Sequence, residues 1–225
     1  MSNSTLSPTE LIQVPISFLA QIADNSNHIP RLYYARNPLL RRMFWERLHI
    51  LNRMLNRHLQ HKESCVDFGG GSGVLLPTLA AKFNHLTLVD LETKQATLVK
   101  QRYDLQNVTI VQGDIACLDL GATRFDAAIA ADVLEHFRDL NLPVNVLRRW
   151  LKPGGLLFTS LPTENRLYCG LRKVFGIEKP MDHYHTANEV EAFLDKSGFQ
   201  RIATSPMPWS VPFMPLFLIT AWRST

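Results

Sequence analysis

Cysteine is scarce in this chain and never paired. Cys65, Cys117 and Cys169 are its three cysteines, and no CxxC spacing joins any two of them. That excludes a disulfide framework and a zinc knuckle, and it fits a reducing compartment. Apolar runs of about 18 residues are also missing, so no spanning helix is expected. The opening MSNSTLSPTE is polar and lacks early positive charge, and no apolar stretch with a small-residue cleavage site follows, so no secretory leader is expected. The reading is cytoplasmic. One region lacks acids: residues 31–62 hold eight Arg or Lys against the single acid Glu46, whereas the rest of the chain holds sixteen basic and nineteen acidic residues. The basic character therefore belongs to one segment, suited to a solvated helix face or to an anionic surface.

What is present is ordinary globular composition, 46% hydrophobic and 20% charged over 225 residues. Residues 1–30 are weakly helical and broken by Pro8, Pro15 and Pro30. From Pro38 to Leu59, Leu40, Met43, Phe44, Leu48, Leu51, Leu55 and Leu59 recur at helical spacing, predicting a long amphipathic helix with its arginines on the wet face. Strand and helix patterns then alternate. The predicted strands are 65–68, 85–90, 107–114, 125–132 and, after a turn, the latter part of 151–162. The helices between them run from Gly73 to Phe83, through TKQATLVKQRYDL and through VNVLRRWL. TANEVEAFLDKSGF reads as a helix closed by Gly198, and FQRIAT and LFLITAWR read as two final strands joined by a proline-rich loop. Such alternation predicts an α/β fold, a parallel sheet covered on both faces.

The stretch VDFGGGSGVLLPTLA (66–80) breaks a strand into a glycine loop and restarts as a helix, the usual arrangement for a nucleotide. It lacks the third glycine of the dinucleotide fingerprint GxGxxG, since Val74 or Leu76 stands there, and it lacks the lysine of a P-loop. It has instead Asp67, Gly69, Gly71 and Gly73 at alternate positions. A buried carboxylate before the glycine turn repels a pyrophosphate but tolerates a ligand carrying an ammonium and a sulfonium. Asp90 ends the second strand, where a carboxylate can accept from vicinal ribose hydroxyls, and Asp114 ends the third, near where an adenine amino group would stand. Either could instead cap the following helix.

On VDFGGGSG, LVDLE, QGDI, FDAAIAADVLEHFRD and LKPGGLLFTSLP, residues 65 to 162, the chain resembles the class I S-adenosylmethionine-dependent methyltransferases, and within them the small-molecule, type 11-like branch. The resemblance implies a Rossmann-like doubly wound sheet of seven strands with the last antiparallel. It also implies methyl transfer from S-adenosyl-L-methionine. By the family pattern Asp90 serves the ribose, Asp114 and Ile115 the adenine, and Ala131 and Asp132 the methionyl part, and Leu91 and the loop of Asp67, Gly69, Gly71 and Gly73 are expected to bind the cofactor beside them. Residues 1–62 are expected to be an N-terminal helical extension or lid, and residues 63–225 the cofactor-binding domain, with 163–190 covering the substrate.

Methyl transfer from a sulfonium asks for an in-line nucleophile and exclusion of water; a base is needed only where a proton must leave. The Asn/Asp-Pro-Pro-aromatic run used on base amino groups is absent at ADVLEH, and no cysteine follows a proline, so a nucleic-acid substrate is not expected. A small or lipid-like acceptor remains. Candidate proton acceptors are His136, Tyr168, and His183, Tyr184 and His185 of MDHYH; the catalytic candidates are His183, His185 and His136. No metal is expected, because His183 and His185 have no third ligand at a clear spacing. The basic helix and the loop around Trp209, Val211, Phe213 and Met214 leave two readings open: a lid over the cofactor crevice with the loop packed beneath it, or an amphiphilic acceptor met by peripheral contact with an anionic membrane. The alternatives are a non-catalytic S-adenosylmethionine-binding protein and, with less support, a nicotinamide-dependent oxidoreductase.

Overall fold

Side chains alternate across a strand, so a sheet covered on both faces needs strands that are apolar in both registers. In β1 (Ser64–Phe68), Cys65 packs into one core, whereas Val66 and Phe68 pack into the other. β4 (Phe125–Ala131) divides in the same way, with Ala127 and Ile129 facing one side and Ala128 and Ala130 the other. The computed structural model describes residues 9–23, 30–174, 183–208 and 214–225. With β2 (His85–Asp90), β3 (Val108–Gln112), β5 (Leu151–Pro162), β6 (Phe199–Met207) and β7 (Phe217–Ser224), these strands form one seven-stranded sheet ordered β3-β2-β1-β4-β5-β7-β6. β1 to β5 pair in parallel, and β7 runs antiparallel to both β5 and β6. The α/β sheet is as the alternating pattern predicts, and its antiparallel last strand is as the family resemblance implies.

The helices are α1 (Ile16–Ile22), α2 (Pro38–His58), α3 (Leu76–Ala80), α4 (Lys94–Arg102), α5 (Asn141–Trp150), α6 (Arg166–Val174) and α7 (Ala187–Lys196), with 3₁₀ turns at Arg31–Tyr34 and Leu134–His136. Asn37 starts α2 by accepting from the Leu39 amide at 2.9 Å, with Pro38 in the first turn. Leu48, Leu51 and Leu55 of α2 are essentially inaccessible, each worth roughly 1.5–3 kcal/mol of burial, and they join the sheet's core. Val14 and Leu19 belong to that core too, so residues on both sides of the boundary expected near 62 pack together. α5 and α7 cover the opposite face, where Trp150 meets Phe68 edge to face at 5.7 Å. Thr186 and Glu189 close a capping box on α7.

Three local expectations change. The helix predicted over 73–83 shortens to Leu76–Ala80, because Pro77 is accommodated only in the first turn and Gly73 holds a left-handed backbone. The turn predicted at the head of 151–162 stays in the sheet as a bulge: Phe125 pairs with Leu151, and the next paired residue, Ala127, faces Leu156. Arg47 is not on the wet face of α2; it is 1% exposed. Three residues after Phe44 and four before Leu51, it lies on the apolar stripe. Trp209, Val211 and Phe213, the aromatic loop assigned to membrane contact, lie outside the described residues, and Met214 is exposed. Among the described residues no helix is long and apolar enough to cross a membrane.

Candidate active site

The carboxyl ends of the parallel strands open into a cavity of about 490 Å³, the place where open α/β sheets bind ligands. Its wall begins with the glycine loop. The Gly69 amide donates to the Val89 carbonyl at 2.8 Å and the Gly71 amide donates to Asp90 Oδ2 at 2.8 Å, tying the loop to β2. Gly71 has φ +51°, and a Cβ built on it would meet nothing nearer than Asp90 Oδ2 at 4.0 Å, so a side chain there would project into the ligand space. Gly73 does not line the cavity; a Cβ on it would stand 2.9 Å from the Ala96 backbone, so its role is helix-to-loop packing.

Asp67, Asp90, Asp114 and Asp132, each at a strand end, line this one cavity. Asp67 is 2% exposed, and its Oδ2 has no hydrogen-bond partner among the described residues. Burial, reinforced by the nearby Asp90 charge, pushes its carboxyl up to about 7. Asp90 is half tied down: Oδ2 takes the Gly71 amide and Oδ1 the Glu92 amide at 3.0 Å, which leaves lone pairs for a ligand. Asp114 Oδ1 accepts from the Ala116 amide at 2.9 Å in the same manner. The two acids thus cap their loops and also face the cavity. Leu91 and Ile115 follow them on the wall, and Leu91 is an exposed large apolar side chain at 66%.

Beyond Ala131 and Asp132 the wall changes character. Asp132 adopts φ +56° at the end of β4 and binds Arg47 Nη1 through Oδ2 at 2.5 Å. Ser160 Oγ donates to its Oδ1 at 3.3 Å. Burial raises the Asp132 carboxyl, and the Arg47 charge opposes that rise. Arg47 also donates to the Tyr33 hydroxyl at 2.8 Å and stacks 4.0 Å from the Phe44 ring centre. Burial lifts the Tyr33 phenol to about 12, so it remains a neutral hydroxyl. On the far side of Arg47, Phe44, Tyr168, Phe217, Met43, Leu40 and Leu171 line a small apolar pocket. Arg47 therefore stands between a polar cavity and an aromatic one.

His136 lies on the cavity wall, with His183 behind it, ring centres 4.7 Å apart and nearly perpendicular. His183 Nδ1 meets Glu164 Oε1 at 2.9 Å, and Arg172 Nη1 grips both Glu164 oxygens at 2.9 and 3.1 Å. His185 is not brought to this group: its Nε2 meets the Arg138 carbonyl at 3.2 Å. Glu135 is inaccessible, and neither of its side-chain oxygens has a hydrogen-bond partner among the described residues. Burial, then the Asp132 charge, pushes its carboxyl well above the ordinary range.

Comparison with known proteins fits this geometry. Residues 66–159 match the family described as "Methyltransferase domain". Over those residues the chain is similar to a methyltransferase domain. A demethylmenaquinone methyltransferase of Chlamydia caviae is 29% identical over 126 residues, 52% of this chain and 53% of that protein. A ubiquinone biosynthesis O-methyltransferase of Actinobacillus pleuropneumoniae is 26% identical over 129 residues, 50% of this chain and 54% of that protein. The match thus spans about half the length of these relatives. Among solved structures, N-methyltransferase NodS from Bradyrhizobium japonicum WM9 in complex with S-adenosyl-L-homocysteine superposes with TM-score 0.65 at 19% identity, covering 92% of this chain and 96% of that one. The fold is therefore that of the class I S-adenosylmethionine-dependent methyltransferases.

Within this fold, the sequence pattern points to the glycine loop and the strand-end acids, all of which except Gly73 line one cavity. It missed Arg47, Tyr33, Glu135, Glu164 and Arg172. Arg47 had a usable signal in its place on the apolar stripe of α2. Glu164, two residues past the end of β5, is one more strand-end acid. Nothing local marks Tyr33, Glu135 or Arg172.

Proposed function

We propose that this chain binds S-adenosyl-L-methionine in the 490 Å³ cavity and transfers its methyl group to a small, lipid-like acceptor held against Arg47. The observation that carries the reading is the charge of the wall: five acids, Asp67, Asp90, Glu92, Asp114 and Asp132, line it, and its one arginine among the described residues is already paired with Asp132. A wall of that sign suits a cationic adenosyl ligand and opposes the pyrophosphate of a nicotinamide dinucleotide. The S-adenosylhomocysteine bound by NodS supports the same choice of ligand.

The acceptor comes from the aromatic side. A flat ring with an apolar tail suits the pocket of Phe44, Tyr168 and Phe217, and the relatives named for demethylmenaquinone and ubiquinone biosynthesis support a quinol-type acceptor. The methyl carbon needs the attacking atom about 3 Å away and in line, with water excluded. Where the acceptor has a proton to lose, it is handled at the His136–His183 pair rather than at His185. The exposed Leu39 and Arg42 of α2 and the exposed Met214 are the described surface for peripheral contact with an anionic membrane. Sedimentation with anionic liposomes at low and high salt tests that contact; failure at low salt removes it.

Isotope-labelled methyl transfer from S-adenosylmethionine into a cell extract, with the product identified by mass, tests the function. A labelled amphiphile supports the reading. Tight cofactor binding with no labelled product would favour a binding protein without turnover.

A further inference from the structure

We propose that Glu135, His136 and His183 form a binding site for one divalent transition-metal ion beside the cofactor cavity. One carboxylate oxygen of Glu135 and one ring nitrogen from each histidine all lie within 4.8 Å of one another. Around zinc at about 2.0–2.1 Å, tetrahedral ligand atoms stand about 3.4 Å apart, so the three atoms need to draw together by no more than about 1.4 Å. Two imidazoles and a carboxylate are the donor set of a three-ligand zinc or iron(II) site with an open position.

Two further observations point the same way. The Glu135 side chain is 0% exposed, yet neither oxygen has a hydrogen-bond partner among the described residues. A buried carboxylate is retained in a fold when a cation or proton satisfies it. His183 is also held as metal-bound histidines are held: Nδ1 meets Glu164, Glu164 is clamped by Arg172, and Nε2 is left as the ligating nitrogen. The third ligand that spacing within MDHYH did not supply comes from across the fold. Backbone pairing of the Tyr184 amide with the Glu135 carbonyl at 2.9 Å brings the two segments together. Because His136 belongs both to this cluster and to the cavity wall, a bound ion would adjoin the acceptor's place, and with the ion bound the two histidines would serve as ligands in place of the proton-accepting role given to them above.

The test is calorimetric titration of the chelator-treated full chain with Zn²⁺, with Co²⁺ absorption as a second readout. One equivalent is expected to bind. Glu135→Gln and His183→Ala should each weaken binding by about tenfold or more and lose the cobalt spectrum, while His185→Ala binds as the parent does. Should Glu135→Gln fail to fold, His183→Ala decides alone. Absence of saturable uptake, or parental affinity in His183→Ala, overturns the site. S-adenosylhomocysteine binding is measured on the same samples: cofactor binding without zinc binding removes the metal site alone, and zinc binding without cofactor binding removes the methyl-transfer reading alone.

Discussion

The two sides of the cavity are built by different means. The cofactor side uses short-range backbone geometry: a glycine loop hydrogen-bonded to the next strand, and acids that cap the loops they begin. The acceptor side uses long side chains that reach across the fold: Arg47 of α2 to Asp132 after β4, and His183 to Glu164 after β5. The first kind of site is preorganised by local pattern. The second exists only once distant elements have packed. Substitutions on the cofactor side should therefore cost affinity with little stability, and those on the acceptor side should cost both stability and turnover.

Removing Arg47 should have the largest effect. Arg47→Ala empties a fully buried position and leaves the half-buried Asp132 without its ion partner, and should cost about 2–5 kcal/mol of stability in denaturant unfolding. The double variant Arg47→Met with Asp132→Asn should recover part of that loss; equal stability of parent and Arg47→Ala would mean that the pair does not organise the acceptor side. Gly71→Val should reverse the balance. At φ +51° the added side chain strains the backbone by about 1–2 kcal/mol, but no atom except the Asp90 carboxylate lies within about 4 Å of the added Cβ, so the variant should keep its fold while losing about 100-fold or more in S-adenosylmethionine affinity. Unchanged affinity in the folded variant would remove the loop from the cofactor site.

Asp90→Ala comes next. It deletes a charge-assisted acceptor for ribose hydroxyls and should weaken binding by about 1.5–3 kcal/mol. A change below about threefold would reduce Asp90 to the loop cap that its two backbone bonds already make it. The smallest effect is one of pH. A free Asp67 carboxyl raised to about 7 is partly protonated at neutral pH. A cationic ligand favours its ionised form, so binding should release protons and tighten as pH rises through 7. Calorimetry in buffers of different ionisation enthalpy measures the release, and Asp67→Asn should abolish it. Identical heats in all buffers would place the ligand's positive charge away from Asp67.

The same contrast explains what the sequence disclosed. The glycine loop, Asp90 and Asp114 are legible because each needs only its own strand-to-helix turn to be placed. The antiparallel β7 came through the family resemblance, and its apolar run FLITAW agrees with a strand buried in the sheet. Arg47 is not legible because a charge on an amphipathic helix is ordinarily solvated; its partner, Asp132, lies 85 positions on in the sequence. Glu135 sits in LEH, a short pattern that gives no sign of burial. His183 and Glu164 meet because Tyr184 pairs with the loop after β4, a contact that no periodicity encodes.

The central claim is that the cavity selects a cationic adenosyl ligand over a dinucleotide. Parallel titration of the full chain with S-adenosylmethionine and with NAD at pH 7 tests it most directly. One equivalent of S-adenosylmethionine should bind with proton release, and NAD should bind at least about 100-fold more weakly. Equal affinity for the two, or NAD binding the tighter, would contradict the account.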